Sequence, residues 1–343
     1  MLDQSEIRFL PLGARRVAYE VRGSGPPVVT AAWWVSHLEL DWQSADVRRF
    51  WEGVARDRTL IRYDRLGVGM SDRDVVAADL TLDGEVAVLR ALLDELGLER
   101  VSLLGGSSGS CTAVAFAARY PERVEQLILY GSYPDGTELT PPGVADAIVA
   151  AVQAHWGLGA RLLSDIFLGG AGADEQAAFG RLQRESATAE VAAEVLRLVY
   201  RLDVRALLPL VRVPTTVVHR RDDSAVPYRL GREVAAAVAG ATFVPLQGSS
   251  HFPWLGDVDS VARACRNALG MPVVMDDVAA DVLTAREREI LACVARGLGD
   301  REIAEQLVLS AHTVHRHVAN IRRKLGSPSR TAAVAEATRL GLL

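Results

Sequence analysis

The sequence is poor in cysteine, nearly devoid of lysine and without any long apolar run. Its three cysteines, Cys111, Cys265 and Cys293, lie far apart with no partner at metal-ligand spacing. An odd, scattered set argues against a disulfide framework and a metal cluster, and predicts reduced packing residues. No apolar run approaches the roughly 18 residues that cross a bilayer. The opening MLDQSEIRFLPLG also lacks a basic segment followed by an apolar one, so neither a membrane partner nor a secretory leader is expected, and the expected compartment is the cytoplasm. Among 38 basic residues one is a lysine, Lys324, a trait of genome composition from which no chemistry follows.

What is present is an ordered, mixed composition. Apolar residues make up 49% of the 343 positions and charged residues 24%, which excludes a disordered tail and is enough for about two domains. The formal net charge of −5 is unevenly spread: from 283 to 343 ten Arg or Lys face six acids, a surplus of +4, leaving −9 on the rest. An acidic body with a small cationic module is expected.

Short strand-like runs recur with helical segments between them: RRVAYEVRG, PPVVTAA, TLIRYD, RVSLLGG, QLILYGS, TTVVHR and TFVPLQ. Several are almost wholly apolar, as strands covered on both faces of a parallel sheet are. Between them, TLDGEVAVLRALLDELGL and CTAVAFAARY carry apolar residues at three-and-four spacing, the mark of amphipathic helices. The alternation predicts an α/β domain with a doubly wound sheet over 1–270. A helix-patterned insertion at about 134–210 reads as a lid. An aperiodic acidic stretch over 271–282 reads as a linker, and 283–343 is helical in pattern throughout.

Within LLGGSSGSCTAVAFAARYP, a Gly/Ser cluster sits between a buried strand and a buried helix, where a flexible linker has no place. A phosphate loop would end in Gly-Lys-Ser or Gly-Lys-Thr, and no lysine is present, so this is not one; no cofactor is expected. What fits is G-x-S-x-G, with Gly105, Ser107 and Gly109: small residues on either side let the strand turn sharply into the helix and hold the serine hydroxyl clear. Ser108 does not satisfy the frame. A serine hydroxyl needs a base, and the base needs an orienting carboxylate. Both follow in order, Asp222 and Asp223 after TTVVHR and His251 after TFVPLQ.

With these motifs in view, positions 1 to about 270 resemble an α/β-hydrolase. LIRYDRLGVGMSD is similar to that family's Tyr-Asp-x-x-Gly-x-Gly-x-Ser-Asp loop, and GSSHFPW to its histidine loop. The resemblance implies a doubly wound sheet with a helical lid, Ser107 as nucleophile and His251 as base. It selects Asp223 as orienter, four residues before Pro227, in place of Asp222. One oxyanion donor is expected at the Ser108 amide. The second should come from the loop after PPVVTAA, where relatives carry His-Gly; here Ala32 and Trp33 stand in those places and Trp34 is left to donate. Loss of the glycine restricts the backbone, and slow or absent turnover is expected. Trp33 and Trp34 are candidate ligand contacts, with core packing as the alternative.

The last sixty residues read as four short helices. Thr284 and Glu287 form a capping box for the first, which buries Ile290, Leu291 and Val294. The second starts at Asp300 with Ile303, Ala304 and Leu307 inward, and a turn at Ser310 leads into the third. There Val314, Val318, Ile321 and Leu325 mark a buried stripe opposite His312, His315, Arg316, Ala319 and Arg323. Two helices and a tight turn in a cationic module describe a helix-turn-helix, with a helical oligomerisation domain bearing solvated charges as the alternative. Through LTAREREIL, REIAEQL, LSAHTVHRHVANIRRKLG and SR, this segment resembles LuxR-type helix-turn-helix domains over its full length. The resemblance implies that His315, Arg316 and Ala319 face base edges while Thr313, Arg323, Lys324 and Arg330 approach phosphates. It also implies a homodimer through SRTAAVAEATRLGLL, with Ala332, Ala333 and Ala335 permitting close approach.

These readings lead to a transcriptional regulator that binds double-stranded promoter DNA and senses a small ester, lactone or related metabolite, apolar because the insertion is rich in Ala, Leu and Val. No metal is expected. The rival is an active serine hydrolase whose tail is accessory.

Overall fold

The seven runs marked as strands, and one that was not, pair into a single sheet. In the computed structural model these are β1 (Arg8–Leu12), β2 (Arg15–Gly23), β3 (Pro27–Thr30), β4 (Thr59–Tyr63), β5 (Val101–Gly106), β6 (Val124–Tyr130), β7 (Thr215–Arg220) and β8 (Thr242–Leu246). They lie in the order β1-β2-β4-β3-β5-β6-β7-β8. β2 is antiparallel to β1 and β4, and the remaining neighbours are parallel. The structure describes residues 6–76, 78–141, 143–270, 283, 285–307, 309–325, 327–339 and 343. The expected linker over 271–282 and the expected cap at Thr284 lie outside these. The chain divides into two compact units between Gly270 and Met271.

Burial follows position in the sheet. β5, at its centre, is buried along its whole length, whereas β8 at the edge is mostly half-buried or exposed. Each edge strand carries a proline, Pro11 in β1 and Pro245 in β8, which removes a backbone donor where another chain would otherwise add on. β1 was absent from the sequence reading because its short apolar run is broken by Pro11. It exists by pairing with β2 across a tight turn that Gly13 enters at φ 63.

The first unit holds nine helices among its described residues: α1 (Ala45–Val54), α2 (Leu82–Glu95), α3 (Ser108–Arg119), α4 (Val144–Ala154), α5 (Trp156–Leu168), α6 (Ala173–Ser186), α7 (Ala189–Arg201), α8 (Tyr228–Ala237) and α9 (Val258–Ala268). α1 packs on α9, α2 on α3, and α8 on β7. Side-chain caps set several starts: Thr81 accepts from the Gly84 amide, and Asp257 from the Ser260 amide. Between β6 and β7 run α4 to α7, with no strand among the described residues of that stretch. α7 shows why such segments fold: capped by Thr188, it buries Val191, Val195 and Leu198 on one stripe.

The second unit holds four helices among its described residues, α10 (Ala285–Ala295), α11 (Asp300–Leu307), α12 (Ala311–Lys324) and α13 (Arg330–Arg339). They close on one core that includes Ile290, Leu291, Ile303, Val314, Ile321 and Ala333. All three cysteines are free and buried, Cys111 and Cys265 in the first unit and Cys293 in the second.

Candidate functional site

β5 ends at Gly106 and α3 begins at Ser108, so the whole turn is made by Ser107, which sits at φ 52 and ψ −127. Only two described non-glycine residues have positive φ, and this is one of them; such a conformation costs on the order of 1–3 kcal/mol and persists only where the surroundings impose it. The Ser107 amide donates to Tyr130 O at 2.9 Å, and Ser110 Oγ donates to Gly105 O at 2.9 Å. The flanking glycines are forced by space: a Cβ at Gly105 would lie 2.7 Å from Gly109 O, and one at Gly109 would lie 2.8 Å from Ala32 O.

The later strands deliver the partners at their carboxyl ends, where parallel α/β sheets hold their sites. His251 Nδ1 lies 2.9 Å from Asp223 Oδ2 and 3.1 Å from Oδ1. It is thus Asp223, not Asp222, that meets the imidazole. Asp223 Oδ1 also accepts from the Ala225 and Val226 amides at 3.0 and 2.9 Å. Burial pushes the Asp223 carboxyl up, but the His251 charge and hydrogen bond, with His219 and the Val226 amide, outweigh it and hold the group below its ordinary value. His219 is a second, fully buried imidazole, 3.8 Å from Asp223 Oδ2, with Nε2 3.0 Å from Val226 O. Burial lowers its pKa, against the pull of Asp223.

Ser107 and His251 line one cavity of about 270 Å³ together with Ser108 and Trp34. α4, α5 and α7 supply Ile148, Ile166, Phe167 and Leu196 to its walls. Trp34 is tied to α6 by its indole, which donates to Gln183 Oε1 at 3.1 Å. Trp33, named beside Trp34 as a ligand contact, is not among the residues lining this cavity. Its ring is buried, stacked on Tyr130 at 6.3 Å and Trp254 at 5.2 Å between centroids. It fills the space left by Gly106, where a Cβ would come within 2.3 Å of the indole.

Two buried charged residues fix the loops that carry this chemistry. Asp64 accepts from Ser36 Oγ at 2.5 Å, Met70 N at 2.9 Å and Leu38 N at 3.1 Å. It thereby pins the loop after β4 to the one after β3. Burial pushes its carboxyl up despite those bonds. Arg220, at the end of β7 and 1% exposed, donates to Ser250 O at 2.8 Å, Phe252 O at 3.0 Å and Leu255 O at 2.6 Å. The guanidinium therefore holds the backbone on both sides of His251. Sequence reading missed it, since HRRDD looks like a solvated charge run.

In the second unit, α12 is capped by Ser310, whose Oγ accepts from the Thr313 amide at 3.0 Å. His315, Arg316 and Ala319 are exposed on it while Val314 and Ile321 are buried. Thr313 is half-buried, and its hydroxyl is 2.8 Å from Ser310 Oγ. The side chains of His312 and Arg323 lie outside the described residues. Two of the residues named for phosphates also brace the domain: Lys324 pairs with Glu287 at 2.6 Å, while Arg330 meets Asp300 at 3.4 Å and donates to Leu298 O at 2.9 Å. His315 also faces Asp300, at 3.4 Å. Ala333, named for close approach of two copies, is 1% exposed in its own domain's core, which leaves Ala332 and Ala335 on the outer side of α13.

Residues 42–257 match the family described as alpha/beta hydrolase fold, more than half of the chain, and residues 281–337 match the bacterial regulatory proteins of the luxR family. A 2-hydroxy-6-oxo-2,4-heptadienoate hydrolase of Pseudomonas putida is 34% identical over 135 residues, 39% of this chain and 44% of that one. The chain spans less than half the length of that relative. A strigolactone esterase of Arabidopsis thaliana is 28% identical over 61% of this chain and 82% of its own. Among solved structures, the enol-lactonase from Burkholderia xenovorans superposes with a TM-score of 0.64 at 21% identity, over 77% of this chain and all of that one, a likeness of fold.

Proposed function

This chain belongs to the alpha/beta hydrolase fold family and carries a luxR-family DNA-binding domain behind it, and from that premise we propose a ligand-responsive transcriptional regulator. A small, apolar ester, lactone or related metabolite occupies the cavity beneath α4, α5 and α7. Its occupancy alters the affinity of the second unit for promoter DNA. The observation that carries this reading is the pairing, in one chain, of a serine–histidine cavity with a helix that exposes His315, Arg316 and Ala319.

At the cavity, Ser107 attacks the acyl carbon while Nε2 of His251 takes its proton, and Asp223 holds the opposite ring nitrogen. The Ser108 and Trp34 amides donate to the oxyanion. On DNA, His315, Arg316 and Ala319 face base edges, and Thr313, Arg323, Lys324 and Arg330 lie along phosphates. Two copies meet through α13, because two half-sites multiply the affinity of a module this small. The protein works in the cytoplasm, where its DNA is.

A second reading, a serine hydrolase with an accessory tail, is favoured by the 2.9 Å contact between His251 and Asp223. The names of the relatives, hydrolase and esterase, lend it support. Two assays separate the readings. Duplexes selected from a random library should bind the chain, and Arg316→Ala should weaken that binding by about 5- to 150-fold, the worth of one good base contact. A fluorophosphonate probe should label the wild type and not Ser107→Ala. An unlabelled wild type that still binds DNA removes the hydrolase reading; unchanged binding by Arg316→Ala removes the proposed docking.

A further inference from the structure

Among the described residues, no side chain lining the cavity apart from His251 belongs to a charged residue type. The walls are otherwise aliphatic and aromatic; the polar side chains are the hydroxyls of Ser107, Ser108, Thr140, Tyr200 and Ser224 and the Trp34 indole, which is engaged by Gln183, so an anion there has neutral donors, the proposed oxyanion amides among them. Burial pushes the Tyr200 hydroxyl up to about 12, so at neutral pH it is a neutral donor. The Asp223 carboxylate lies against His251 with none of its side chain exposed. An ester or lactone needs only hydrogen-bond donors here. A carboxylate would lose its hydration, find no cationic side chain among the described lining except a His251 already held by Asp223 at 2.9 Å, and stand near the charge on Asp223. The amide-rich end of α3 at Ser107 compensates such a charge only in part.

We infer that the cavity is a charge filter: it admits an uncharged ester or lactone and excludes ligands that bear a carboxylate, including the acid released when such an ester is cut. The inference rests on the reading of this cavity as the ligand site. In that hydrolysis, water adds across the acyl C–O bond, the alkoxy oxygen leaves with one proton, and the new acid gives its own to solvent. Cutting the bond thus destroys the affinity that held the ligand. A regulator occupied by an ester is emptied by its own turnover, and the acid does not return to compete.

The test uses three ligands of nearly equal size on full-length Ser107→Ala, which binds without cutting: δ-decalactone, the sodium salt of its ring-opened acid, and the methyl ester of that acid. Calorimetry should show the lactone and methyl ester binding at least 100-fold more tightly than the acid. Methylation should restore what the carboxylate loses. Val144, 43% exposed at the start of α4 and part of the cavity lining, accepts a longer side chain from the solvent side. In a Ser107→Ala/Val144→Arg chain the acid should recover at least tenfold.

A preference for the lactone under tenfold, failure of all three to bind, or an acid unaffected by Val144→Arg each overturns the filter. Fluorophosphonate labelling of the wild type reports separately on the serine. A labelled chain that binds the acid as tightly as the lactone loses the filter and keeps the serine reading. An unlabelled chain that rejects the acid 100-fold loses turnover and keeps the filter.

Discussion

Arg220 and Arg221 are neighbours in sequence with opposite fates. Arg220 is 1% exposed and donates to carbonyls that flank His251, while Arg221 is exposed with its guanidinium 5.4 Å from the Tyr228 ring centroid. Nothing in HRRDD says which one turns inward; that is decided by the register of β7 against β8 and by Gly248, whose missing Cβ leaves room for the Arg220 side chain. A planar fork of five donors satisfies several carbonyls at once, and an ammonium cannot replace it. Displacement of a catalytic group by about 1 Å can cost a hundredfold in rate. Arg220→Met and Arg220→Lys should therefore both slow fluorophosphonate labelling of Ser107 by about 10- to 100-fold. Equal labelling rates in wild type and both variants, with fold retained by circular dichroism, would show that the histidine loop holds itself. Ser107, Asp223 and His251 were named from sequence because each chemistry demands a residue type at a fixed place. Arg220 could not be, because a carbonyl clamp has no signature in side-chain order.

At the scale of elements, the turn from β5 into α3 and the loop after β3 are one packing problem. The sequence shows Gly106 and, apart from it, Trp33 in the place where the hydrolase resemblance leads one to expect glycine; the structure puts the indole where the Gly106 Cβ would be, 2.3 Å from its ring carbons. The missing side chain and the large one fit each other. Gly106→Ala should destabilise the first unit by about 2 kcal/mol or more through overpacking. In a Trp33→Leu background the same change should cost at least about 1 kcal/mol less, since residues in contact couple by about 0.5–3 kcal/mol. Additive costs in urea denaturation would place the indole elsewhere. The pattern of the chain made most elements legible: β2 to β8 declare themselves as short, largely apolar runs, and the helical insertion by its 3.6-residue spacing. β1 did not, because its pattern has meaning only beside β2. Ala333 misled for a related reason: a small residue on α13 suits a partner copy and its own core equally, and only packing shows which one it meets.

For the whole molecule, the sequence already showed two modules of opposite charge, +4 after position 282 and −9 before it. What it could not show is how one informs the other, since coupling is a difference in free energy between two states of the entire chain. A ligand shifts DNA affinity only by as much as it prefers one of those states, and couplings of this kind are worth about 5- to 150-fold. The central claim, that occupancy of the cavity at Ser107 governs DNA binding, can be tested without knowing the natural ligand. Fluorescence anisotropy on a library-selected duplex would compare wild-type protein before and after stoichiometric fluorophosphonate modification, with Ser107→Ala treated identically as control. The account predicts a change in affinity of fivefold or more for the wild type, in either direction, and none for Ser107→Ala. Identical affinities for the modified and unmodified wild type would contradict it.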